Sequence, residues 1–187
     1  AKVDPFGGIV FGTYNEHPDR KNRKPIASLY RLAPDLSLTQ LLSNITVSNG
    51  IAFSQEENIM YFADTPTGLI QKFEYSQGFK KLHELDSNLI FNDVGVPDGA
   101  TIDSQNNYWS ARVRGKCIIC IDTKKEKILK KIDLPTATPT CLTFGGLDSS
   151  KLFVTSLRAE PINDSADGNL YKVETDIKGP QQLLSEI

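Results

Sequence analysis

The chain has only three cysteines, two histidines, one methionine and one tryptophan in 187 residues. An odd, small number of thiols gives no disulfide framework and fits the reduced cysteines of a cytoplasmic protein. Charge of either sign is not in excess: 21 basic against 23 acidic residues leave a net charge of −2. That balance carries neither a nucleic-acid nor a membrane-surface footprint. No apolar run approaches the roughly 20 residues needed to span a bilayer, and no secretory leader opens the sequence. Sustained helical periodicity is missing. So are a serine nucleophile elbow and a phosphate-cradling glycine loop; Gly7-Gly8 and Gly145-Gly146 read as turns. Cys117-Ile118-Ile119-Cys120 matches a C-x-x-C pattern but sits in an alternating strand. Positions three apart there point to opposite faces, which argues against a dithiol or chelating pair. His83, between Leu82 and Glu84, reads as an ordinary strand residue.

What remains is one domain's length of ordinary composition, 39% hydrophobic and 24% charged, as in a soluble globular protein. Gly, Pro, Asn and Asp punctuate it into short apolar segments, and those segments repeat. Ser48-Asn49-Gly50-Ile51-Ala52-Phe53-Ser54 aligns with Pro97-Asp98-Gly99-Ala100-Thr101-Ile102-Asp103. A polar turn follows each, then further strands at 59–63, 69–75 and 79–85 in one copy and 108–111, 117–122 and 127–134 in the other. Less regular copies flank these, with strands expected at 2–5, 8–13, 27–32 and 36–42 and at 141–144, 151–156, 169–174 and 180–184. Units of four strands at a spacing of roughly 40–50 residues predict an all-β protein, a β-propeller of about four four-stranded blades. The expected organisation is a single, partial propeller domain with blades near 1–46, 47–94, 95–137 and 138–187.

The register also predicts a site. Residues opening the inner strand of each blade face a shared axial pocket, so Asn49 and Asp98, at equal offsets from Ser54 and Asp103, are expected to converge. The matching stretch of the last copy, Thr138-Pro139-Thr140, offers a hydroxyl or a carbonyl. An amide oxygen and a carboxylate are hard ligands suited to Ca²⁺, Mg²⁺ or Mn²⁺, though too few to hold such an ion unaided. Asp4 takes the place of Asp103 in the first copy, and the corresponding site residue would fall two positions ahead of Ala1. The chain is therefore expected to be the C-terminal portion of a larger ring.

Ser48-Asn49-Gly50-Ile51-Ala52-Phe53-Ser54, Tyr61-Phe62-Ala63-Asp64-Thr65, Pro97-Asp98-Gly99 with Trp109, and Thr143-Phe144-Gly145-Gly146 resemble the regucalcin (senescence marker protein)/gluconolactonase family, which includes luciferin-regenerating enzymes. The resemblance implies a six-bladed ring with a divalent cation on its axis (Ca, Mg, Mn or Zn), hydrolysing sugar lactones or related esters. It implies Asn49 and Asp98 as metal ligands and Asp98 as the general base. It places His17, with Glu16 beside it, where the family often has a substrate-contacting carboxylate, a departure that bears on sugar specificity. A glutamate ligand, an arginine and an asparagine of the family would lie upstream of Ala1.

Arg112 and Arg158 end second strands at the same end of the blades, where they serve either a polar substrate or the surface. The charged loop 15–25 emerges at that end too, as a lid over substrate or as a solvated connection. The partner expected is a small lactone or ester, with neither nucleic acid nor membrane. A companion segment carrying further blades, or self-association, is expected to cover apolar blade faces and open strand edges. A non-catalytic scaffold or metal-binding regulator is the other function compatible with these residues.

Overall fold

A computed structural model describes residues 1–17, 19–79, 81–158 and 166–187. Pro18 of the 15–25 loop and Lys80 of the 79–85 segment lie outside the described residues. The architecture is all-β, built from four small antiparallel sheets in chain order. Compact packing divides the chain into two units, Ala1–Asn88 with Gln182–Ile187, and Leu89–Gln181.

In the first unit, one sheet is β1 (Lys2–Val3), β2 (Ile9–Gly12), β3 (Ala27–Leu32) and β4 (Leu38–Ile45), paired in that order. The next is β5 (Ser48–Ser54), β6 (Ile59–Asp64), β7 (Leu69–Tyr75) and β8 (Leu82–Glu84). Alternating apolar side chains from both sheets close one core: Val10, Leu29, Ile51, Phe53, Met60, Phe62 and Phe73 among them. Phe79, expected to begin the outer strand, instead lies in a 3-10 turn. Its ring stacks on Tyr75 with centroids 5.1 Å apart, and that burial shortens β8. Burying each such side chain contributes about 1.5–3 kcal/mol.

The second unit opens with the two-residue strand β9 (Leu89–Ile90). Its first full sheet is β10 (Val96–Ile102), β11 (Tyr108–Val113), β12 (Cys117–Asp122) and β13 (Lys127–Asp133). The last sheet holds β14 (Pro139–Gly145), β15 (Lys151–Ser156) and β16 (Leu170–Glu174). Period-two alternation is clean here. Trp109 and Ala111 of β11, Ile118 and Cys120 of β12, Leu142 and Phe144 of β14, and Leu152 and Val154 of β15 share one core. Cys117 points away from it, and all three cysteines are free thiols.

The expected fourth strand at 180–184 does not form. Just ahead of it, Lys178 O accepts the Ser104 amide and Gly179 N donates to Ser149 O, so the chain is tied into turns before it reaches this segment. Pro180, with no N–H, cannot resume a ladder. The final residues join the first unit, where Glu186 N donates to Gly7 O at 3.0 Å.

The inner-strand turns repeat one device. Asp103 accepts the amides of Gln105 and Asn107 and, at 2.8 Å, the Trp109 indole N–H. Asp4, at the same place in the first repeat, accepts the Phe6 amide and pairs with Arg31 at 2.6 Å. Both carboxylates are buried and hydrogen-bonded, Asp103 by neutral donors alone and Asp4 by Arg31 as well.

Candidate functional site

Three inner strands, β5, β10 and β14, carry a bulge at the position where the sequence predicts a site residue. The β5–β6 register shifts between Asn49 and Ala52, and the β10–β11 register between Pro97 and Ala100. A third shift lies between Pro139 and Cys141. A bulge re-aims the side chains beside it and ends regular pairing there. Glycine follows in both sharper copies for two reasons. Gly50 has φ 63°, and a Cβ on Gly99 would come within 2.6 Å of Cys141 Sγ.

Asn49 belongs to the first unit and is half-buried. Its Nδ2 donates to Thr65 Oγ1 at 2.9 Å, which leaves Oδ1 on the other side of the amide. The strand entry ahead of it is clamped by Asp64. One carboxylate oxygen accepts Val47 N at 2.8 Å and the other Thr46 N at 2.9 Å. The 15–25 loop reaches the same entry: Tyr14 bridges Val47, Asn15 N donates to Thr46 O, and Ser48 Oγ donates to Thr13 O. Glu16 and His17 are exposed on this loop. His17 Nδ1 lies 3.0 Å from Asp19 O, and the Asp19 carboxylate is taken up by Lys21 N and Asn22 Nδ2. The structure thus brings the Glu16–His17 loop to the Asn49 end of its unit.

Asp98 belongs to the second unit, half-buried inside β10. Burial pushes its carboxyl up to about 6, against a smaller downward pull from the Gly99 amide. A carboxylate so desolvated gains from a cation or a proton. Arg112, paired opposite Pro97, is fully buried. Its Nη2 donates to Phe91 O and Gly95 O, both at 2.6 Å, while Nε and Nη1 are left without partners. Burial lowers its pKa. The guanidinium therefore grips the segment leading into β10. Arg158 is exposed beyond β15.

In the last repeat the Thr136 hydroxyl and Ala137 amide are bound to Asp167, and the Thr138 hydroxyl to Leu157 O. Three of these groups had no assigned role in the sequence: Asp64, Thr65 and Asp167. Asp64 and Thr65 were legible only as part of the stretch that carries the family resemblance, and Asp167 carries no local pattern at all. Among the described residues no cluster of three or more His, Cys, Asp or Glu side chains could hold a metal ion. The Asn49 amide oxygen in the first unit and the Asp98 carboxylate in the second are each of the hard oxygen type that suits a divalent cation such as Ca²⁺ or Mg²⁺. No helix among the described residues is long and apolar enough to cross a membrane.

Successive small antiparallel sheets, three of them with a bulged inner strand, define a β-propeller. Residues 1–158 match the model of the SMP-30/gluconolactonase/LRE-like region, and the chain belongs to that family. It is 32% identical over 190 residues to the 6-deoxy-6-sulfogluconolactonase of Pseudomonas putida, covering 98% of this chain and 64% of that protein. It is 30% identical over 162 residues to regucalcin of Danio rerio, covering 83% of this chain and 52% of that one. A solved luciferin-regenerating enzyme superposes over 100% of this chain and 64% of its own, with TM-score 0.88 and 29% identity. The chain spans less than two thirds of the length of the relatives it matches.

Proposed function

We propose that these residues contribute to a metal-dependent hydrolase of sugar lactones or related esters. The observation that carries this reading is Asp98: a desolvated carboxyl, pushed up to about 6, on the bulge of an inner strand in a chain of the gluconolactonase family. Asn49 Oδ1 and Asp98 would hold the cation. When bound, it supplies Lewis-acid polarisation of the lactone carbonyl and acidifies nearby water. Asp98 accepts a proton from the attacking water as the new C–O bond forms. The acyl–oxygen bond of the ring then breaks, the ring oxygen takes up a proton, and the product is the open hydroxy acid. Glu16 and His17, on the loop pinned beside Asn49, would contact substrate hydroxyls. Arg112 fits the reaction best as a support for the Asp98 strand, through its grip on Phe91 O and Gly95 O.

The relatives support the substrate class, and their greater length leaves room for further ligands outside these residues. A cytoplasmic location follows from the same reading of reduced thiols. A second reading, a non-catalytic scaffold or metal-binding regulator, is kept in view by the similarity to regucalcin. The two separate on a panel of aldonolactones, assayed by acid release with Ca²⁺, Mg²⁺, Mn²⁺ or Zn²⁺ in turn, using the protein in its full natural length. Cation-dependent turnover abolished by chelation is expected. Cation binding with no turnover on any lactone would leave the regulator reading in its place.

A further inference from the structure

The stretch Tyr61-Phe62-Ala63-Asp64-Thr65 has no part in the chemistry above, yet its last two residues hold Asn49 and the strand entry just ahead of it. Asp64 binds the amides of Thr46 and Val47 through separate oxygens. Thr65 N donates to Val47 O at 3.1 Å, and Thr65 Oγ1 accepts the Asn49 Nδ2 proton at 2.9 Å. Thr65 itself is held in place. It opens a 3-10 turn with Pro66 in its first positions, closed by Gly68 in the left-handed region at φ 73° and by Gly68 N donating to Thr65 O. The Thr67 hydroxyl fastens the same turn to Asp64 O.

An asparagine amide is ambiguous: turned by half a rotation, it offers a donor where it had offered an acceptor. A cation accepts only the oxygen. We infer that Thr65 is a positioning residue for Asn49, its hydroxyl holding Nδ2 so that Oδ1 faces the cation. This rests on the reading of Asn49 as a ligand. Partners of metal ligands tune affinity by about 10–100-fold, and a single neutral hydrogen bond belongs at the lower end of that range.

The test uses Mn²⁺ as probe, with free ion counted by electron paramagnetic resonance, on Thr65→Val, Thr65→Ser and Asn49→Ala in the full-length protein. Thr65→Val keeps the shape and loses the acceptor, and should weaken Mn²⁺ binding about 10-fold. Thr65→Ser, which keeps the hydroxyl, should restore affinity to within about 2-fold. Equal affinity of Thr65→Val and wild type, beside a large loss in Asn49→Ala, would overturn the role of Thr65 alone. Wild-type affinity in Asn49→Ala would overturn the ligand reading as well. Serine as weak as valine would assign Thr65 a merely structural role. Should Thr65→Val fail to fold, side-chain amide resonances of the wild-type protein decide. Slow, hydrogen-bonded Asn49 Nδ2 protons are expected, and a freely rotating amide would contradict the inference.

Discussion

Asp64 in the first unit and Arg112 in the second stand at the same place in the repeat and do the same work with opposite charge. Asp64 pairs with Ser48, and Arg112 with Pro97, one residue ahead of Asn49 and Asp98. Asp64 collects two main-chain N–H groups from Thr46 and Val47. Arg112 collects two main-chain carbonyls, from Phe91 and Gly95. The repeat preserves the place of the clamp and the bulge beyond it, not the chemistry of the clamp. Its polarity follows from the segment it holds. A tight β4–β5 connection presents amides, whereas the 3-10 turn Asn92–Val94, ended by Gly95 at φ 87°, presents carbonyls. The two solutions differ in cost. Both oxygens of Asp64 accept a main-chain N–H, but Arg112 keeps two buried nitrogens, Nε and Nη1, without a partner.

Making the second repeat like the first gives the largest expected effect. Asp98→Asn turns its site residue into the amide found at Asn49, and should lower lactone turnover about 10²–10⁴-fold, the range of general-base catalysis. Steady-state kinetics at saturating cation measure it, and the fold should be unaffected.

The clamps themselves come next. Asp64→Ala leaves two amides without their acceptor and should cost about 3 kcal/mol in urea unfolding. Arg112→Met keeps the apolar stem and removes a poorly compensated buried charge, so about 1 kcal/mol is expected. The reverse order would break the comparison.

Asp98 also makes stability depend on pH, and Asn49 does not. Its folded pKa of about 6 lies above the usual 3.8, so the folded protein binds that proton more tightly. The stabilisation is complete below the unfolded value and is lost as pH rises through about 6. In cation-free buffer, unfolding free energy should fall by about 1–2 kcal/mol over that window, after allowance for partial solvent screening. Asp98→Asn should flatten this part of the profile.

The smallest effect concerns the thiols around the second site. Burial pushes Cys120 up to about 12 and raises Cys117, while Cys141 is exposed. An aromatic disulfide reagent should titrate one thiol in the folded protein and three after unfolding.

The sheets were legible because their signal is local. Ala27–Leu32, Leu69–Tyr75, Cys117–Asp122 and Lys151–Ser156 follow from alternation and flanking turn residues, and the structure places them at the expected bounds. The offset shared by Asn49 and Asp98 was legible too, since a repeat register is arithmetic. The failures have non-local causes. Phe79 leaves its strand for an aromatic cluster with Tyr75 and Phe53, and the strand expected at 180–184 is pre-empted by turn bonds of Lys178 with Ser104 and of Gly179 with Ser149. Asp64, Thr65 and Arg112 act on residues 16 to 21 positions away in the chain. Short-range spacing cannot show such partners.

The most direct test is a double-mutant cycle on Mn²⁺ affinity with Asn49→Ala, Asp98→Asn and both together, in the full-length protein. If both side chains serve one ion, either change alone should remove most of the binding, and the double variant should be little worse than the weaker single one. Additive losses, each independent of the other change, would contradict a shared cation and with it the proposed hydrolytic site.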